Sequence, residues 1–219
     1  MKRLFLIFIC IPGVWFCTFA QNSIGHGHIG LYTMTVGEIK LTVITDGHLP
    51  VNPVQAEFAQ RIDSTKVAKT LENHFSSPVE VDLAMNVLLL EWGDKRVLID
   101  TGAGGIFGND SGHLGENLAY AGLSPKDVTD VVLSHAHPDH IGGLTDKRSG
   151  ELLYPNADVW ISKEECTFWL SDIPDFSKST MTDKTHMQML VQVARRNINA
   201  AKNRLRMYND GDTLLGCLQ

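Results

Sequence analysis

Between Leu83 and Asp100 the chain carries near-continuous apolar runs, Met85, Val87–Leu90 and Val97–Ile99, separated by a turn at Gly93–Asp94. Runs of this kind suit strands covered on both faces, so Leu83–Trp92 and Lys95–Asp100 are expected inside a layered domain. The 219 residues are 43% hydrophobic and 20% charged. That composition excludes collagen-like, low-complexity and wholly disordered chains, and the length fits one domain or two small ones.

The flanking pattern alternates strands with helices. Tyr32–Val36 and Ile39–Thr45 read as strands joined near Gly37, with Ile39, Leu41 and Val43 alternating against Lys40 and Thr42. Thr45-Asp46-Gly47 is expected to end the second in a turn. Gln55–Phe75 has the mixed spacing and charge of a surface helix or a lid. Leu114–Ala121 reads as a helix ending at Gly122, and Ser124–Pro125 opens a shorter one. Asp130–Ser134 and Asp158–Ile161 are short apolar strands. Ser162 and Glu165 have capping-box spacing ahead of a helix to Leu170. Asp172–Thr182 reads as loop, Lys184–Lys202 as a long helix, and Leu205–Tyr208 as a final strand before a turn at Asp210–Asp212.

The N-terminus reads as an address. Lys2 and Arg3 precede an apolar run from Leu4 to Ile11, and Thr18 and Ala20 stand where a small-residue cleavage site would. Residues 1–20 are expected to be a signal peptide cleaved near Ala20, with an uncleaved anchor as the alternative. Cleavage implies an exported protein, periplasmic or extracellular, with no stable membrane association. Residues 21–30, containing His26 and His28, are expected to be a flexible start. The formal net charge of −6 argues against non-specific nucleic-acid binding. Export leaves Cys166 and Cys217 in an oxidising compartment, where a disulfide and two free thiols both stay open.

Chemistry concentrates in Leu133-Ser134-His135-Ala136-His137-Pro138-Asp139-His140-Ile141-Gly142-Gly143. Three imidazoles and a carboxylate directly after an apolar strand form a ligand set suited to a borderline divalent ion such as zinc. His135 and His137, two apart, project to one side of an extended segment, while Asp139 and His140 diverge in the turn that follows. Upstream, Asp100-Thr101-Gly102-Ala103-Gly104-Gly105 lacks the spacing of a nucleotide loop and reads as a turn that lets backbone approach a site.

The segment from His135 to His140 resembles the HxHxDH signature of the metallo-β-lactamase superfamily. Asp100-Thr101-Gly102 and Thr45-Asp46-Gly47 fit in order, and Phe168–Trp169 is similar to the Trp-bearing helix of the exported lactonase and methyl-parathion-hydrolase-like branch. The resemblance covers residues 31–219 and implies an α/β (α+β) fold, an αββα sandwich with two divalent metals, typically zinc, at one sheet edge. It implies that His135 and His137 ligate one metal, and Asp139 and His140 the other. Asp139 would also handle the proton of the nucleophilic water, and Asp100 would orient the ligands from behind. The implied activity is hydrolysis of a small-molecule lactone, carboxyl ester or phosphotriester by a metal-bound hydroxide, with a β-lactam or thioester as the alternative.

The later ligands of such a site, a third histidine, a bridging aspartate and a last histidine, find no match. Only His186 follows His140. The sequence therefore reads as the N-terminal portion of the sandwich, with the C-terminal half missing. His113 and His186 are the remaining candidates for a third ligand. A non-catalytic metal-binding protein is the competing reading.

Overall fold

A computed structural model of the chain describes residues 30–218. The expected signal peptide and residues 21–29 of the expected flexible start lie outside the described residues. Seven strands form one sheet in chain order: β1 Leu31–Val36, β2 Ile39–Val51, β3 Val81–Trp92, β4 Lys95–Ile99, β5 Asp130–Val132, β6 Asp158–Ser162 and β7 Leu205–Tyr208. Pairing is antiparallel from β1 to β4 and parallel from β4 to β7. Six helices accompany it: α1 Val54–Phe58, α2 Ser64–Asn73, α3 Leu114–Tyr120, α4 Pro138–Ile141, α5 Lys163–Leu170 and α6 Lys184–Ala200. The expected lid segment, Gln55–Phe75, is thus a helical pair, α1 and α2.

The apolar runs divide cleanly by parity. Val87, Leu89, Leu98, Val131, Val159 and Ile161 face one side, where α3 to α6 pack through Leu118, Ile141, Trp169, Ala194 and Ile198. Leu90, Val97 and Val132 face the other, joined by Leu214 and the half-buried Leu88, Ile99, Trp160 and Tyr208. Among the described residues there is one sheet with one helical layer, one half of an αββα sandwich. No helix among them is long and apolar enough to cross a membrane.

Thr45-Asp46-Gly47 does not end the second strand. The β2–β3 register slips there, pairing Thr45 with Asn86 and Gly47 with Met85, so Asp46 is an extra, bulged residue and β2 continues to Val51. The bulge turns the Asp46 side chain inward. Its carboxylate accepts from the backbone N–H groups of Ala103 (2.8 Å), Gly112 (3.1 Å) and Leu114 (3.1 Å). Gly47 sits at φ +128, with Asp110 O only 2.0 Å from where a Cβ would stand, so no side chain fits. Cys166 is buried and Cys217 exposed, and both are free thiols.

Candidate metal centre

The candidate residues gather beyond the carboxyl ends of β4 and β5, the edge of a parallel sheet where ligands characteristically bind. Asp100 follows β4 directly, in a left-handed conformation at φ 64 that aspartate tolerates better than most residues. The segment from Ser134 to His140 follows β5. His137 is extended at φ −69, ψ 155, as the residue before a proline tends to be, and Pro138 opens α4 where its missing N–H costs nothing. Ala136 is fully buried in the core, so His135 and His137 project together to the other side, their rings 4.7 Å apart.

The glycine-rich segment serves as support for this turn. Thr101 donates to His140 O from its backbone N (2.7 Å) and its hydroxyl (2.9 Å), and Gly143 N donates to Gly102 O (3.0 Å). Contact is backbone on backbone: a Cβ on Gly143 would stand 2.0 Å from Thr101 O.

Charge is distributed unevenly across the site. His140 lies between two carboxylates, Nδ1 2.8 Å from Asp100 Oδ2 and Nε2 3.1 Å from Asp139 Oδ2. Burial pushes its imidazole down, but hydrogen bonds and charge from Asp100 and Asp139 outweigh that and lift it to about 9. Burial likewise works against ionised Asp139, yet hydrogen bonding and charge from His140 keep its carboxyl below the usual range. His135 and His137 are held below the ordinary histidine value, first by burial. For His135 the neighbouring His140 and His137 add to it.

Ser134, passed over in the sequence, ties the halves together. Its N–H and hydroxyl donate to Asp100, at 2.7 and 2.8 Å, and its Oγ stands 3.0 Å from His135 Nδ1. Because the hydroxyl proton points at Asp100, the hydrogen-bond pattern assigns the His135 proton to Nδ1 and leaves Nε2 with a free lone pair. Glu165, read as half of a capping box, was also missed as a site residue. Its Oε2 accepts from Ala136 N (2.9 Å) and Trp169 Nε1 (2.8 Å). Chain distance hid both functions.

The donor set fits a divalent metal in kind. Neutral imidazoles with available lone pairs lie beside ionised carboxylates, and protonated His140 occupies a place where carboxylates already stabilise a cation. Among the described residues no group of three or more His, Cys, Asp or Glu side chains converges as a complete cage. His113 hydrogen-bonds the Asn109 carbonyl of its own loop (2.9 Å). His186, on the first turn of α6, is near enough for its charge to act on His137, without completing such a group.

The family model of the metallo-β-lactamase superfamily matches residues 82–146, the stretch from β3 through the turn from His135 to His140. Metallo-beta-lactamase domain-containing protein 1 of Mus musculus is 32% identical over 146 residues, 64% of this chain and 51% of the relative. Among solved structures, AidC, a dizinc quorum-quenching lactonase in complex with a product, N-hexanoyl-L-homoserine, matches with TM-score 0.76 at 32% identity. The hydrolase AbOPH of the beta lactamase superfamily matches with TM-score 0.71 at 28% identity. Each of these two alignments covers 85% of this chain and 63% of the other. These likenesses mark the chain as a metallo-β-lactamase-fold protein, with residues 82–146 similar to the superfamily's family model. The chain spans about half the length of the curated relative from mouse.

Proposed function

We propose that these residues form the front of the active site of an exported, divalent-metal-dependent hydrolase acting on a lactone, carboxyl ester or phosphotriester. The observation that carries this is the Asp100–His140–Asp139 array beside the neutral His135–His137 pair. Asp100, Asp139 and His140 open on a cleft of about 320 Å³ also lined by Leu49, Leu83, Met85 and Val87. His135 and His137 would hold one metal and Asp139 with His140 the other, with Asp100 fixing the His140 ring. A divalent ion such as zinc, when bound there, would polarise the scissile oxygen and acidify the attacking water. Asp139, ionised at neutral pH, is the carboxylate placed to take that water's proton. The leucines and Met85 offer an apolar wall to the non-reacting part of a small substrate, and likeness to a lactonase at 32% identity favours a lactone.

The test is turnover by the zinc-supplemented chain on an N-acyl homoserine lactone, a nitrophenyl ester, a phosphotriester and a chromogenic β-lactam. Lactone or ester hydrolysis is expected, falling by about 100-fold or more in Asp139→Asn with an unchanged circular dichroism spectrum. Preference for the β-lactam would redirect the substrate assignment within the same chemistry. A second reading, a metal-binding protein without turnover, draws on the lack of a complete three-residue cage among the described residues. Tight zinc binding with none of the four substrates consumed would decide for it.

A further inference from the structure

We propose that Glu165 is a positioning residue that sets the His135–His137 pair by holding the peptide between them. The inference rests on those two histidines being metal ligands, as argued above. Glu165 lies in the first turn of α5, where Ser162 Oγ accepts from its backbone N–H (3.1 Å). In a full capping box the glutamate side chain would turn back to the Ser162 N–H. The Glu165 side chain instead reaches across to the next strand end. One oxygen, Oε2, accepts from Ala136 N at 2.9 Å and from Trp169 Nε1 at 2.8 Å.

Ala136 is the residue between the two histidines, and its fully buried methyl leaves that segment no freedom on the core side. Fixing its N–H fixes the plane from which both imidazoles project. The acceptor is itself secured. Trp169 is buried, with its ring edge-on to His137 at 5.7 Å, and Arg195 of α6 donates to the carbonyls of Trp169 (2.9 Å) and Asp172 (3.2 Å) and to Ser171 O. A path of direct contacts therefore runs from α6 through the end of α5 to the peptide between the ligands. Partners of this kind typically change metal affinity when removed, even though they never touch the metal.

Because both donors meet the same oxygen, substitutions separate geometry from charge. Glu165→Gln keeps a carbonyl oxygen at the same reach and loses the charge. Glu165→Asp keeps the charge and, one methylene shorter, withdraws the oxygen. Ser162→Ala removes the N-cap of the same helix and leaves the Ala136 contact in place, so it reports loss of helix stability alone.

Zinc affinity of the full chain is measured by chelator competition, alongside the cobalt(II) absorption spectrum, with thermal midpoints recorded for each variant. Glu165→Gln and Ser162→Ala are expected to bind zinc like the parent, and Glu165→Asp about 10–100-fold more weakly with an altered cobalt spectrum. Equal weakening in Gln and Asp variants, or an Asp variant that binds like the parent, would overturn the proposal. So would a loss in Ser162→Ala matching that in Glu165→Asp at the same thermal midpoint. Imidazole resonances of His135 and His137 in the metal-free chain give a second reading that needs no zinc. Recorded at alkaline pH, where both rings are neutral and loss of the Glu165 charge does not change their protonation, they should shift in Glu165→Asp and hold in Glu165→Gln. If the parent chain takes up no zinc while these resonances behave so, the metal assignment fails and the positioning role stands. Unmoved resonances in both variants sink the positioning role.

Discussion

His135 and His137 sit in a half-buried setting, pinned through the backbone, that keeps both imidazoles neutral, whereas His140 in the same turn is flanked by Asp100 and Asp139 and lifted to about 9. One half of the site is organised by geometry and the other by charge. The same residue type takes opposite protonation states because burial acts on all three rings, while carboxylates hydrogen-bond to only one of them. The contrast makes the halves separately breakable.

The largest effect is expected behind the charge-organised half. Asp46→Ala leaves the buried N–H groups of Ala103 and Leu114, and the part-buried one of Gly112, without their acceptor. At roughly 1–3 kcal/mol for each unsatisfied donor, about 3 kcal/mol or more of stability should be lost, read as a lower denaturation midpoint. A change well under that would show that the loop after Asp100 repacks without its anchor.

Asp100→Asn attacks the charge directly. It removes an anion from His140 and from the Ser134 hydroxyl while tolerating the left-handed backbone. Zinc affinity should fall by about 10–100-fold. Imidazole titration followed by nuclear magnetic resonance in the metal-free chain should place His140 well below about 9, with His137 little changed.

A smaller effect is expected in the pH dependence of the metal-free chain, where the halves pull in opposite directions. His135 and His137 have folded values below 6.5, so the unfolded chain binds more protons as pH falls below 6.5 and stability declines on that side. His140 is raised, so its contribution is complete below 6.5 and is lost as pH climbs from there through about 9. The thermal midpoint should therefore decline by a few degrees on the alkaline side, and His140→Gln should flatten that limb. An unchanged slope in this variant would refute the assignment of charge to His140.

Much of this arrangement was legible in the chain. The apolar runs at Val87–Leu90 and Val97–Ile99 required cover on both faces, and the structure divides them by parity between the helical layer and the smaller cluster around Leu214. Local rules also gave the extended His137 before Pro138 and the cap at Ser162. The misreading at Asp46 has a physical cause. Thr-Asp-Gly is turn chemistry locally, and only pairing along β3 and the approach of Asp110 convert it into a bulge inside a longer strand.

The sequence by itself determined which side chains could carry the chemistry, because the ligand spacing from His135 to His140 is short enough to be set by local backbone. Tertiary structure alone decided their states. Asp100 and Glu165 meet the turn that begins at Ser134 only because β4, β5 and β6 run parallel and end together at one edge of the sheet. Which imidazole is charged, which nitrogen carries the proton and what holds the peptide between two ligands depend on burial and on contacts between segments far apart in the chain.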